Sequence, residues 1–268
     1  MKNKGIFQKD NVFNIAIYST LFFLVLYIII VIFSITTYIH PDTFFSLLFS
    51  DEIVFAIKLS LITATLAALL SVLIGIPASY ALSRANFKGK NIVDSILDLP
   101  IVVSPIALGA ALLIFFNTSI GTSVENYIKF TFAFYGIVLA QFTIVSALFI
   151  RLMKSTFDDM NPRYEEVART LGCSKFQAFF KVIIPLSKNG LINATILTWA
   201  RAIGEFGATV TLAGAMQFKT ETLPIAIFLN LSTADVDKAM VVVLILILIS
   251  FFALTLIRIV SKNNKKIT

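Results

Sequence analysis

Residues 161–185 read NPRYEEVARTLGCSKFQAFFKVIIP, and the organisation of the whole chain can be built outward from this stretch. Asn161 is a good helix N-cap, Pro162 suits the first helical position, and Glu165 and Glu166 complement the positive end of a helix dipole. Tyr164, Val167, Ala168 and Leu171 recur at i, i+3, i+4 and i+7, which predicts one apolar stripe. Gly172 supplies a left-handed stop. Ser174, with Gln177 three residues on, fits a capping box that opens a second helix. Phe176, Phe179, Phe180 and Ile183 then repeat the helical spacing up to Pro185. The expectation is two short amphipathic helices with a glycine elbow between them. A helix of about ten residues makes a rod of about 15 Å, enough to fill a groove on a partner. An amphipathic loop lying at a membrane interface, with no partner, fits capping and periodicity equally well.

On both sides of this stretch the chain is apolar. Of 268 residues, 58% are hydrophobic and only 14% charged, with 26 phenylalanines, far too little charge for a water-facing surface of this size. Mean hydropathy is +0.91. A bilayer core takes about 20 apolar residues in helical form, and six runs qualify: 13–39, 59–83, 99–124, 130–150, 189–218 and 239–257. The run 189–218 is interrupted only by Arg201 and Glu205. The first run is too long for a signal-peptide core and no small-residue cleavage site follows it, so it reads as a retained helix.

Lys and Arg fall into two sets of connections. The N-terminal tail carries three, the second-to-third connection three, residues 151–190 seven and the C-terminal end four. The opposite set carries none in 40–52, one in 125–129 and two in 219–238. The positive-inside rule therefore puts both termini and the 151–190 loop in the cytosol. This topology accounts for the net charge of +7 without nucleic acid as a partner.

Several classes of function are excluded or disfavoured. Cys173 is the only cysteine, which rules out an intramolecular disulfide and a Cys-rich metal site. His40, the only histidine, reads as an interfacial residue beside Pro41. A membrane enzyme would need a nucleophile–base pair or a metal constellation, and neither is visible. An ion-coupled carrier would favour several intramembrane carboxylates and repeated halves; Glu205 stands alone and no repeat is evident. No G-x-x-x-x-G-K-[ST] phosphate loop occurs, so an ATP-driven process would need its hydrolysing site on another chain.

Glu166-Val167-Ala168, Gly172 and Val182-Ile183-Ile184-Pro185 resemble the E-A-A-x3-G-x9-I-x-L-P signature of ABC-importer permeases. Val167, Val182 and Ile184 are mild departures from it. Ser60-Leu61, Ala64-Thr65, Gly75, Pro77, Tyr80 and Arg84 resemble the family's first core helix, and residues 99–105 with Gly109 the next. The resemblance covers about residues 53–260. It implies an all-α, six-span permease of the type I importer fold in a prokaryotic cytoplasmic membrane. Residues 1–52 would hold the tail, the extra first span and an external loop, 53–260 the permease core, and 261–268 a basic cytosolic tail.

The resemblance further implies a homodimer, two ABC ATPase subunits on the cytosolic face, an extracytoplasmic binding protein and a surround of membrane lipid. Coupling helices at about 162–181 would dock the ATPase through Glu165, Glu166, Val167, Ala168, Arg169, Thr170, Leu171, Gly172 and Ser174. No cofactor or metal is expected on this chain; ATP and Mg would belong to the partner, and the permease itself would not be an enzyme.

Ala200-Arg201-Ala202-Ile203-Gly204-Glu205-Phe206-Gly207-Ala208-Thr209, with KTETLPIAI at 219–227, is similar to permeases for tetrahedral oxyanions, above all molybdate and tungstate. Sulfate/thiosulfate permeases share the G-E-[FY]-G core and remain the alternative. Arg201, Gly204, Glu205, Gly207 and Thr209 are the candidate pathway or gate residues. Arg201 and Glu205 are i, i+4, so an internal ion pair that only orients the helix is an equal reading. The hydroxyls of Thr209 and Thr211 are potential anion donors, although hydroxyls in apolar helices more often return to their own backbone. Pro77, Pro100 and Pro105 are expected to bend their helices.

Overall fold

A computed structural model describes residues 3–37 and 41–264. His40, the end of the first apolar run and the last residues of the basic tail lie outside them. The described residues are helical throughout their regular structure, with no strand among them. The helices are α1 (Asn3–Thr36), α2 (Pro41–Leu48), α3 (Asp51–Arg84), α4 (Lys90–Val102), α5 (Pro105–Phe116), α6 (Ser119–Glu125) and α7 (Phe134–Asp158). There follow α8 (Arg163–Thr170), α9 (Lys175–Ala178), a π-helical turn (Phe179–Ile183), α10 (Ile184–Leu186), α11 (Lys188–Ile203), α12 (Gly207–Ala213), α13 (Leu223–Ser232) and α14 (Val236–Asn264).

Helix α3 is the spine. Ser50 caps it by accepting from the Ile53 amide, Asp51 and Glu52 occupy its first turn and Arg84 its last, so both ends of the dipole are compensated. It packs along α7, with Gly75 against the Phe149 ring, where an added Cβ would meet Cδ1 at 2.4 Å. Ala64, Ala140, Ile144, Val145, Ala202, Ala208 and Leu212 bring α3, α7, α11 and α12 into one core. Phe149, Met153, Phe157, Ile183 and Ala194 continue it toward α8. Helix α1 touches α14 but leaves its apolar side chains exposed over 13–33.

Among the described residues, four helical stretches are long and apolar enough to cross a membrane: Phe13–Thr36, Asp51–Arg84, Phe134–Asp158 and Val236–Leu256. Helices α4 and α5 make a fifth if counted as one span, although they meet at 110°. The run 99–124 is thus not a single rod. Pro105 starts a new helix, and the residues before it, Val103 and Ser104, are extended, as a following proline demands. Pro77 and Pro100, by contrast, sit inside uninterrupted helices.

The fourth run also differs from expectation at both ends. Residues 130–133 are not helical, because the Phe130 and Thr131 amides donate to Glu125 Oε1 at 3.0 and 2.7 Å. Phe132 takes a φ of +52° with its amide on the Leu212 carbonyl. Helix α7 then runs on through Arg151 and Lys154, so the connection begins at Asp159 rather than at 151. The two cations are held on the helix by acids of α4: Arg151 pairs with Asp98, and Lys154 with Asp94 at 3.3 Å. The largest correction concerns 189–218, which is two helices and a turn, broken at Gly204–Phe206 and ended by Gly214 at φ +77°.

Candidate functional site

Helix α8 is set by local chemistry. Its first assigned residue is Arg163, one later than expected, yet the Asn161 side chain accepts from the Arg163 amide at 3.0 Å, as a cap should. At the other end the Cys173 amide bonds the Ala168 carbonyl and the Gly172 amide bonds the Arg169 carbonyl. With Gly172 at φ +91°, this is a complete Schellman stop. Ser174 and Gln177 form the expected capping box in both directions.

Of the apolar stripe, only Ala168 is buried. Tyr164, Val167 and Leu171 are 55%, 56% and 79% exposed, so α8 turns most of its apolar face away from its own chain. Glu166 and Arg169 lie exposed beside it, whereas Thr170 returns its hydroxyl to the Val167 carbonyl. Glu166, Arg169, Thr170, Gly172, Cys173, Ser174 and Gln177 line one open depression.

Glu165 faces inward instead. Its Oε2 accepts from the Tyr80 hydroxyl at 2.7 Å, which ties α8 to the last turns of α3. The Tyr80 ring sits 4.7 Å from Phe179 and 5.6 Å from Phe157, centroid to centroid. Sequence periodicity missed this bond, because its partners are far apart in the chain; the position of Tyr80 in the core-helix pattern was the one available signal.

The helix after the elbow departs from its expected α period. Phe179–Ile183 is a π turn, in which the Ile184 amide reaches the Phe179 carbonyl. Pro185 follows with no amide to return, and its ring clashes with the carbonyl four residues back in an α-helix, so the wider turn relieves that position. As a result the four apolar residues do not share a face. Phe176 and Phe180 are exposed and 4.6 Å apart, while Ile183 is fully buried.

The second candidate region is the break between α11 and α12. Glu205 is 1% exposed, pairs through Oε2 with Arg201 Nη1 at 2.8 Å, and accepts from the Ala208 amide through Oε1 at 3.1 Å. It therefore holds the end of α11 and the first turn of α12 together. Gly207 lies where a Cβ would stand 3.0 Å from Pro105 Cβ, and Gly109 where one would stand 2.8 Å from Ala208 Cα. The bent α5 and the broken α12 approach closely at these two glycines. Gly204 is exposed and meets no such obstacle. Thr209 is fully buried with its hydroxyl unpartnered, whereas Thr211 bonds the Gly207 carbonyl at 2.7 Å.

After α12, residues 214–222 fold back under Glu221, which is buried and accepts from the Phe218 amide at 3.0 Å. Burial, joined by the neighbouring Glu52 carboxylate, outweighs that bond and pushes the Glu221 carboxyl up to about 7. Glu52 in turn pairs with Lys238 of α14.

Residues 71–266 match the family model for the binding-protein-dependent transport system inner membrane component. The chain belongs to this family. The permease is 36% identical over 182 residues to the molybdenum transport system permease protein ModB of Escherichia coli K12, covering 66% of this chain and 80% of that one. A probable molybdenum ABC transporter permease of Haloferax volcanii is 32% identical, with 76% and 74% covered. The sulfate transport system permease protein CysT of Escherichia coli K12 is 30% identical, with 71% and 70% covered. In fold, the permease matches a chain of a bacterial alginate ABC transporter in complex with a pentasaccharide-bound periplasmic protein. There the TM-score is 0.77, the identity 15%, and 99% of each chain is covered. The permease is thus a multi-pass membrane subunit of an ABC importer, as its signature implied, and its relatives are transport subunits rather than enzymes.

Proposed function

We propose that this permease forms the path for a tetrahedral oxyanion, molybdate or tungstate first, and is driven by separate ATPase subunits that grip α8. The supporting observation is the outward apolar stripe of Tyr164, Val167 and Leu171, flanked by Glu166 and Arg169, on the segment that carries the family signature. A solvated loop gains nothing from presenting three large apolar side chains, whereas a groove on a partner buries them. On this reading α8 and both termini are cytosolic, α11 with α12 completes the sixth span, and a second copy and an extracytoplasmic binding protein complete the importer. ATP and Mg belong to the ATPase. Glu165, Ala168, Gly172 and Ser174 shape and seat the docking helix, and Val167, Leu171, Glu166, Arg169 and Thr170 provide its surface. Arg201, Gly204, Glu205, Gly207 and Thr209 lie along the pathway segment.

The molybdate preference rests on the likeness of residues 200–227 to that branch and on the similarity to permeases named for molybdenum, at 32% and 36% identity. Sulfate is the second reading, since relatives named for it are similar too. Val167→Ser with Leu171→Ser tests the docking face: the double variant should lose co-purification with the ATPase and ATP-dependent uptake. Retention of both would remove α8 as the docking element. Reconstituted uptake with competing molybdate, tungstate and sulfate tests the substrate. Sulfate transport that molybdate does not compete with would overturn the first choice.

A further inference from the structure

The last turns of α3 meet α8, the π turn, the end of α7 and the connection that follows it. The Tyr80 hydroxyl donates to Glu165 of α8, and its ring lies between Phe157 of α7 and Phe179 of the π turn. Ser83 donates to Asp158 at the end of α7 at 2.6 Å, and Arg84 Nη2 to the Met160 carbonyl at 2.8 Å. From Asp158 the polar contacts continue to Lys154 at 3.6 Å, from Lys154 to Asp94, and one turn along from Arg151 to Asp98. Asp94 and Asp98 lie on α4, the arm that leads into the bend at Pro105 and so to the close approach of α5 and α12. Polar contacts, linked through the backbone of α3, therefore run from the docking helix through α7 to α4, and the chain through Pro105 and the packing at Gly109 and Gly207 continues from α4 to the pathway segment.

The first contact in this set differs from the rest. Ser83, Arg84, Asp158 and Met160 bind the frame of the bundle to itself. Tyr80–Glu165 is, among the described residues, the side-chain hydrogen bond that ties α8 to the bundle, beside the packing of Ala168; the outer stripe of α8 is exposed and its elbow has no neighbour within reach of a Cβ on Gly172. A force applied to the outer face of α8 reaches α3 through this bond and through the packing of the Tyr80 ring.

We propose that Tyr80 is a positioning residue for energy coupling, with its hydroxyl bond to Glu165 passing the movement of α8 to α3 and thence to α4. The proposal rests on the reading of α8 as the ATPase-docking helix. Tyr80→Phe keeps the ring between Phe157 and Phe179 and removes only the donor. Glu165→Ala removes the acceptor, and Glu165→Gln retains an acceptor oxygen. Each is purified with the ATPase subunits and placed in vesicles with the binding protein. The ratio of oxyanion imported to ATP hydrolysed is then measured, using whichever of molybdate, tungstate and sulfate the wild type imports.

Tyr80→Phe and Glu165→Ala should each lower that ratio about three- to tenfold, the span expected for loss of one ordinary hydrogen bond. The assembled complex should remain intact, Glu165→Gln should stay near wild type, and Tyr80→Phe/Glu165→Ala should be no worse than either change alone. An unchanged ratio in Tyr80→Phe overturns the proposal. So does loss of the ATPase from the purified complex, which would make the bond a structural tie, and so do losses that multiply in the double variant. A wild-type chain that fails to retain any ATPase removes the docking reading itself, a result distinct from all of these.

Discussion

Two of the glycine-marked interruptions, at Gly172 and at Gly204–Phe206, are built in opposite ways. At Gly172 the stop is made by the backbone alone: a left-handed φ, two reversed amide bonds and open space around the missing side chain. At Gly204–Phe206 the φ values are ordinary and the interruption is imposed by a buried side chain, Glu205, that holds both helix ends. Nearby glycines are there for contact, at Gly207 and Gly109. The exposed elbow should therefore tolerate change as a matter of local conformation, and the buried break as a matter of packing and charge.

Gly109→Ala should be the most disruptive of the simple tests of this contrast. Its Cβ would stand 2.8 Å from the Ala208 Cα and carbonyl oxygen, which are backbone atoms with nowhere to move. A loss of about 3 kcal/mol is expected, seen as a large drop in the melting temperature of the detergent-solubilised protein. Glu205→Ala comes next, at about 2 kcal/mol, because it strands Arg201 and the Ala208 amide together. A melting temperature equal to wild type would show that the break needs no carboxylate.

The segment just beyond the break should respond to pH. A carboxyl whose folded value is raised above its ordinary 4.5 to about 7 favours the folded form while protonated. That contribution is complete below about 4.5 and disappears as the pH rises through about 7. The melting temperature should thus fall between about pH 4.5 and about 7 by a larger amount in wild type than in Glu221→Gln. Equal slopes would remove Glu221 from the account. Gly172→Ala should cost about 1 kcal/mol, purely through the strain of φ +91°. Gly204→Ala should have the smallest effect and the opposite sign, a gain of about 0.5 kcal/mol from a stiffer unfolded chain. If that variant is stable but no longer transports, the glycine serves movement rather than packing.

The same contrast explains what could be read in advance. Asn161, Gly172, and Ser174 with Gln177 act on amides within a few residues of themselves, so their roles follow from spacing. Glu205 chooses between Arg201 behind it and the Ala208 amide ahead, and takes both; spacing suggested the first and was silent on the second. The start of α7 at Phe134 depended on Glu125 capturing two later amides, and the bond from Tyr80 to Glu165 on a fold that places α8 beneath α3. The π turn was invisible because its residues keep a helical hydrophobic period while the backbone abandons the helical hydrogen-bond pattern. Apolar length marked the run 189–218 as one span, and the paired glycines Gly204 and Gly207 as a place for a bend or a close approach; that the helix stops there depends on how the buried Glu205 is held, which spacing does not show.

That π turn has a geometric outcome of its own. A turn closed five residues back holds one residue more than an α turn, which offsets the angular phase of everything after it by about 100°. Phe176 before the turn and Phe180 near its start are exposed, and Ile183 at its end is buried in the core. The segment thus works as a phase shifter, letting a short surface helix and the membrane helix it feeds keep different azimuths on a continuous backbone.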